Sequence, residues 1–180
     1  IDHEEKKLSN EYLEKGYIIR EVADENSLNL IKEKLLKIVS NITGEKNLSD
    51  NKILDDFHNL INVNNLNDLR LKIINEIQND EEFRKYYFFI AKPYLEQLVG
   101  NELAMQLRLN LSIQIPKDQN SLLPVHADTW SGDSPFETVV WLPLVDCYKT
   151  KSMFILDPKN NQNLINNFSA FSGKSSEDLF

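Results

Sequence analysis

The sequence predicts an α+β protein in which a helical first part precedes a β-sandwich or barrel core. Between residues 27 and 39, apolar side chains recur at spacings of three and four, which is typical of an amphipathic helix. Between residues 103 and 115, apolar and polar side chains alternate, which is typical of a strand with one buried face. With 180 residues the chain is long enough for one domain with its own core, so we expect a single domain over residues 1–180.

The first hundred residues are expected to be mainly helical. Residues 4–15 predict a short charged helix that ends at Gly16, and residues 17–22 are rich in β-branched side chains and predict a strand. Ser27 is the predicted N-cap of the next helix, which ends at Gly44. Further helices are predicted at about residues 50–61, 66–77 and 81–99, the last kinked or divided by Pro93.

The second part, residues 103–180, is expected to hold the strands. The apolar face of the longest one is formed by Leu103, Met105, Leu107, Leu109, Leu111, Ile113 and Ile115. Further β-type segments are predicted at residues 123–129, 138–145 and 152–156. After Pro158 we expect an Asn-rich loop, and then the start of a capped helix at residues 173–180. Because the chain ends inside that predicted helix, we expect it to be a fragment of a longer protein.

The composition and net charge of the chain limit the classes of partner and the cellular locations that we expect. A net charge of −8, with 28 acidic residues spread along the chain, argues against a nucleic-acid-binding surface. No apolar run approaches the roughly 18 residues of a membrane span, and no signal peptide is evident. Since the chain lacks an initiator Met, we expect its natural start to lie upstream. Cys147 is the single cysteine, so a reducing, cytoplasmic location is expected. The sequence leaves the oligomeric state open.

His126 and Asp128 are the candidate metal ligands. Residues at i and i+2 of a strand point to the same side, so this pair would present an imidazole and a carboxylate together. Such a pair is two thirds of the 2-His-1-carboxylate triad that holds non-haem Fe(II). The spacing alone is not specific, since His3 and Glu5 share it, and by itself it favours an ordinary strand-end histidine. His58 lies in a predicted helix and is expected to be structural or exposed.

The surrounding residues resemble a known family. Residues 123–130, LPVHADTW, resemble the metal-binding strand of the phytanoyl-CoA dioxygenase-like Fe(II)- and 2-oxoglutarate-dependent oxygenases. Residues 139–146, VVWLPLVD, resemble the next strand of that family. The run over residues 101–158 is most similar to a subgroup found in carbohydrate-modification gene clusters. The resemblance implies a double-stranded β-helix core, jelly-roll or cupin-like, with the N-terminal helices packed outside.

The resemblance also implies roles for individual residues. His126 and Asp128 would be the first histidine and the carboxylate ligand of Fe(II), and 2-oxoglutarate would be the cosubstrate. Candidates to bind the cosubstrate or substrate are Arg108, Asn110, Gln114 and Trp141. A polar strand face is equally expected on the solvent side of a sheet, however, and Trp141 is equally expected as a core aromatic.

One departure from the family pattern concerns the third ligand. No histidine follows Asp128, so we expect the distal histidine and its arginine neighbour to lie beyond Phe180, and this chain alone to be inactive. The expected function of the parent protein is oxidation of a small molecule, such as a sugar or nucleotide-sugar. Two alternatives stay open: a non-catalytic binding or scaffold protein with a vestigial metal site, and a cupin-type sugar isomerase or epimerase.

Overall fold

The structure is a computed structural model that describes residues 2–45, 52–116 and 126–166. Within these ranges the α-helices are α1 (His3–Lys15), α2 (Glu25–Thr43), α3 (Lys52–Asp55), α4 (Leu66–Gln78), α5 (Glu81–Phe89), α6 (Lys92–Val99) and α7 (Pro158–Asn166). Short 3₁₀ turns occur at Phe57–Asn59, Val63–Asn65, Asp128–Ser131 and Lys149–Lys151. Among the described residues, no helix is both long and apolar enough to cross a membrane. The predicted helix at residues 173–180 and the start of the predicted strand at 123–129 lie outside the described ranges.

The first helix begins and ends where the sequence predicts. The Asp2 side chain accepts a hydrogen bond from the Glu5 amide, and the Glu5 side chain accepts one from the Asp2 amide, so a complete capping box starts α1. Gly16 ends it in the left-handed conformation, with φ of 79°. A residue with a Cβ would be strained at this angle, which is why glycine suits the position.

The N-cap of the second helix lies three residues before the predicted one. Asp24, not Ser27, is its N-cap, and its carboxylate accepts hydrogen bonds from the amides of Asn26 and Ser27. The Ser27 hydroxyl donates to the same carboxylate and is buried inside the first turn. A carboxylate serves better than a hydroxyl here because it can accept several bonds at the positive end of the helix. Gly44 ends α2 as predicted.

The next helices follow the sequence pattern unevenly. The prediction for residues 66–77 is confirmed by α4, and residues 81–99 are divided into α5 and α6, with Pro93 in the first turn of α6. The predicted helix over residues 50–61 is wrong for most of its described length, because residues 52–61 form only the four-residue helix α3 and a 3₁₀ turn. The predicted loop after Pro158 is also wrong over residues 158–166, and its remainder lies outside the described residues. Residues 158–166 form the helix α7, where Asp157 accepts from the Asn160 amide and Pro158 occupies the first helical position.

The core lies between α2, α4 and α5. Its fully buried members include Ile31 and Val39 of α2 and Ile73 of α4, each 1% exposed. Phe83 of α5 also belongs to this cluster, and so does Leu109, which lies in the segment at residues 101–116. Burial of this kind contributes roughly 1.5–3 kcal/mol for each large apolar side chain, so these contacts dominate the stability of the described fold.

The predicted double-stranded β-helix core is wrong for the described part of the chain, which is helical and contains no β-strand. Residues 17–22, 138–145 and 152–156 are likewise not strands in the structure. Half of the pattern does hold, because Leu109 and Ile115 are buried and Leu111 and Ile113 pack against the helical core. Residues 101–116 nevertheless make no backbone–backbone hydrogen bond with other described residues. Residues 101–116 therefore form a non-helical segment, bent at residues 101, 107 and 108, that belongs to no sheet within the described structure.

Candidate functional site

The structure brings His126 and Asp128 together. Their Nε2 and Oδ1 atoms are 3.5 Å apart, and the two side chains are 42% and 53% exposed. Ala127 between them is extended, with φ of −120° and ψ of 136°. An extended residue places its two neighbours on the same side of the backbone, which explains the contact. The two side chains do lie together, but Asp128 begins a 3₁₀ turn and does not continue the predicted strand. Their role as metal ligands stays a prediction.

A tight turn holds the backbone of Asp128. The amide of Asp133 donates to the Asp128 carbonyl oxygen at 3.3 Å, and the Gly132 amide points at the same carbonyl and at that of Thr129. Gly132 has φ of 99°, an angle that favours glycine, so the turn depends on this residue type. The carboxylate therefore projects from a defined loop. His126 precedes the turn on extended backbone.

The separation of the two donor atoms suits two ligands of one metal ion. Bonds of about 2.1 Å to a nitrogen and an oxygen at right angles place those atoms about 3 Å apart. The observed 3.5 Å needs only a small rotamer adjustment to reach that geometry. Partial exposure of both groups leaves them accessible to a metal ion from solvent. In the described part of the chain, no group of three or more potential ligands occurs, so a complete triad is not present there.

Three of the residues predicted to bind the cosubstrate or substrate lie on the exposed side of the segment at residues 101–116. Arg108, Asn110 and Gln114 are all exposed, while Leu109 and Ile115 between and beside them are buried against the helices. Among the described residues, their side chains are thus exposed to solvent and are not packed into the helical core. Their binding roles remain predictions from the resemblance.

Trp141 is 48% exposed and lies in the non-helical segment at residues 132–148. Its neighbour Leu142 packs against the helical core, so the indole is directed away from the core. The hydroxyl of Tyr87 donates to the Val140 carbonyl oxygen and fixes this segment to α5. Burial raises the pKa of Tyr87 to about 12, so the phenol stays protonated and keeps this bond at neutral pH. At 48% exposure, the Trp141 side chain is accessible to a ligand within the part of the chain that the structure describes.

A polar cleft that the sequence did not predict lies between α1 and α6. The cleft has a volume of about 520 Å³ and is lined by Glu4, Lys7, Leu8, Glu11, Arg20, Tyr94 and Gln97. The residues from α1 occur at spacings of three and four, so they share one helix face. That spacing was visible in the sequence, but its apposition to Tyr94 and Arg20 depends on tertiary packing.

No protein-family model matches the chain, and no curated protein or solved structure is significantly similar to it.

Proposed function

We propose that His126 and Asp128 are two protein ligands of a mononuclear Fe(II) site, and that the protein is a 2-oxoglutarate-dependent oxygenase of the phytanoyl-CoA dioxygenase-like group. The observation that carries the proposal is the 3.5 Å separation of His126 Nε2 and Asp128 Oδ1. An imidazole and a carboxylate are the ligand types of the facial triad, and the surrounding residues resemble that family's metal-binding segment.

Iron and 2-oxoglutarate differ in how well the described residues fit them. His126 and Asp128 fit iron as two of its ligands, and the bound iron would supply oxygen activation. For 2-oxoglutarate, Arg108 offers a guanidinium that can pair with a carboxylate, but it is exposed and lies outside any cradle seen in the structure. Among the described residues, Arg108 therefore does not form an enclosed site for 2-oxoglutarate.

The protein's own contribution at the iron site is position and protonation. His126 must be neutral to donate its Nε2 lone pair, and Asp128 must be ionised. The turn at residues 128–131 limits the directions that the carboxylate can take. The proposed substrate is a small molecule, such as a sugar or nucleotide-sugar, and the proposed location is the cytoplasm.

A non-catalytic binding role is the second candidate. It is supported by the presence of two, not three, clustered ligands among the described residues, and by the exposure of both side chains. In this role the His126–Asp128 pair would bind a metal ion weakly or serve only as a surface contact.

Anaerobic calorimetric titration with Fe(II) tests the first proposal. We expect one Fe(II) per chain, and we expect His126→Ala or Asp128→Ala to weaken binding about tenfold or more, because each removes a ligand. His58→Ala and His3→Ala are matched controls that should leave binding unchanged. Both histidines are exposed, and His3 Nδ1 also lies beside a carboxylate, 3.7 Å from Glu4 Oε1.

A succinate-release assay with Fe(II), 2-oxoglutarate and oxygen, made on the natural full-length protein and its His126→Ala variant, then separates the two candidates. Release that depends on His126 supports the oxygenase. Iron binding that depends on His126, without succinate release, supports the non-catalytic role. If His126→Ala and His58→Ala bind Fe(II) as well as the unmodified chain does, the metal-site proposal is wrong.

A further inference from the structure

We propose that the cleft between α1 and α6 binds a small organic carboxylate, with its charged group on Lys7 and Arg20 and its apolar part against Leu8 and Tyr94. The cleft volume of about 520 Å³ lies within the range of small-molecule sites, which is roughly 300–1,000 Å³. This inference is independent of the proposed iron site.

The guanidinium of Arg20 is held in place before any ligand arrives. Its NH2 group donates to Glu11 Oε2 at 2.6 Å, and its NH1 group donates to the Ile19 carbonyl oxygen at 2.8 Å. A guanidinium has five N–H donors, so donors remain after these two bonds. A group that is already ordered loses little conformational entropy when it binds an anion.

The neighbouring carboxylate does not cancel this positive charge. Glu11 accepts from Arg20 through Oε2 and from Lys15 through Oε1 at 3.1 Å, so two cations share one anion. The hydrogen bonds from Arg20 and Lys15 lower the pKa of Glu11 to about 2, so it stays ionised and keeps both cations in place. Lys7, in contrast, has no ion-pair partner among the described residues. In the cleft lining, the two cations Lys7 and Arg20 balance the two carboxylates Glu4 and Glu11. Lys15, which pairs with Glu11 from outside the lining, adds one further positive charge beside the cleft.

The apolar wall indicates what kind of anion fits. Leu8 is 5% exposed and forms part of the cleft lining. Tyr94 offers its ring, which is held by a hydrogen bond from its hydroxyl to the Glu21 carbonyl oxygen at 3.0 Å. A ligand with an apolar or aromatic body beside its carboxylate can use both features, whereas inorganic phosphate can use only the cations.

Calorimetric titration of the full 180-residue chain with benzoate tests this proposal, with benzamide and inorganic phosphate as comparison ligands. Benzamide has the same ring and shape but no charge. We expect saturable binding of benzoate, and binding of benzamide and phosphate at least about fivefold weaker. Absence of saturation with benzoate, or equal affinity for benzamide, would overturn the proposal. Stronger binding of phosphate than benzoate would overturn the assignment to the carboxylate class.

Three variants on the exposed surface of α1 locate the binding. Lys7→Met should weaken benzoate binding about fivefold, since one ionic contact is lost. Lys6→Met is the matched control, because Lys6 is exposed on the same helix but does not line the cleft. Glu4→Gln should strengthen binding, because it removes the repulsion of a carboxylate that lines the cleft and is 77% exposed. Equal effects of Lys7→Met and Lys6→Met would overturn the proposed site.

Discussion

The helical region up to residue 100 and the less regular region at residues 101–116 and 126–166, which includes α7, bury their apolar side chains to different extents. Within the described residues, the first region contains all but two of the buried apolar side chains, and the exceptions are Leu109 and Ile115. The second region contains most of the exposed large hydrophobic side chains, and Phe136 and Phe154 are 90% and 87% exposed. Similar composition therefore leads to a packed core in one region and to a largely apolar surface in the other.

The difference follows from how each backbone satisfies its hydrogen bonds. A helix pairs its amides and carbonyls within the segment, so an amphipathic helix needs neighbours only for its side chains. An extended segment needs a second segment in register before any backbone bond forms. The apolar side chains of residues 109–113 contact the helical core. The Gln78 side chain also donates to the Leu109 carbonyl oxygen at 2.8 Å. No strand pairs with this segment in the described structure.

Hydrogen exchange should show the largest contrast between the two regions. The backbone amides of Ile31 and Ile73 lie inside helices, and we expect their exchange to be slowed about a thousandfold or more. The amides of Leu111 and Ile113 have no acceptor among the described residues, so they should exchange close to the rate of an unstructured chain. Mass spectrometry of peptides from both segments measures this. Strong protection at residues 109–115 would show that the segment pairs as a strand after all.

A pair of leucine truncations should give the next largest difference. Leu35 is 4% exposed in the core and Leu107 is 77% exposed on the extended segment. Leu35→Ala should lower the free energy of unfolding by about 2–5 kcal/mol, because it removes buried contacts and leaves a cavity. Leu107→Ala should change it by less than about 0.5 kcal/mol. Urea denaturation measures both, and a large loss in Leu107→Ala would show that this side chain is covered in solution.

The ion pair between Lys34 and Asp80 should give the smallest effect, and its size should depend on pH. Asp80 caps α5 through the amides of Glu82 and Phe83, and its carboxylate also accepts from Lys34 of α2. Burial alone would raise the pKa of Asp80, but the hydrogen bond and charge of Lys34, with the backbone amides, bring it below its ordinary value of 3.8. Because the folded pKa is the lower one, the stabilisation is complete above the unfolded pKa and is lost as the pH falls through the folded value.

Asp80→Asn keeps a side-chain oxygen for the cap and removes the charge. At pH 7 we expect the variant to be less stable by about 0.5–1 kcal/mol in urea denaturation. The gap should close below the folded pKa of Asp80, where both proteins carry a neutral side chain. Lys34→Met in the same background is the control, because it should make the effect of Asp80→Asn smaller. A gap that stays constant between neutral and acidic pH would contradict the role of the ion pair.

At the candidate site, the sequence predicted the contact between near neighbours but not the contacts that depend on tertiary packing. The contact between His126 and Asp128 could be predicted from the sequence, because it needs only one extended residue between them. The orientation of Arg108, Asn110 and Gln114 could not, because which side of an extended segment is enclosed depends on what packs there. The cleft between α1 and α6 also needed the structure, since Glu11 and Tyr94 are far apart in the chain.

The sequence by itself determined the features that depend on neighbours within about four residues. These include the capping box of α1, the glycine ends of α1 and α2, the division between α5 and α6 just before Pro93, and the apolar face at residues 109–115. Tertiary structure decided that this apolar face packs on α2, α4 and α5 and not within a β-barrel. The physical reason is that the alternation of side chains selects a buried face but does not specify the partner. Burial against helices and burial within a sheet both remove the same apolar surface from water.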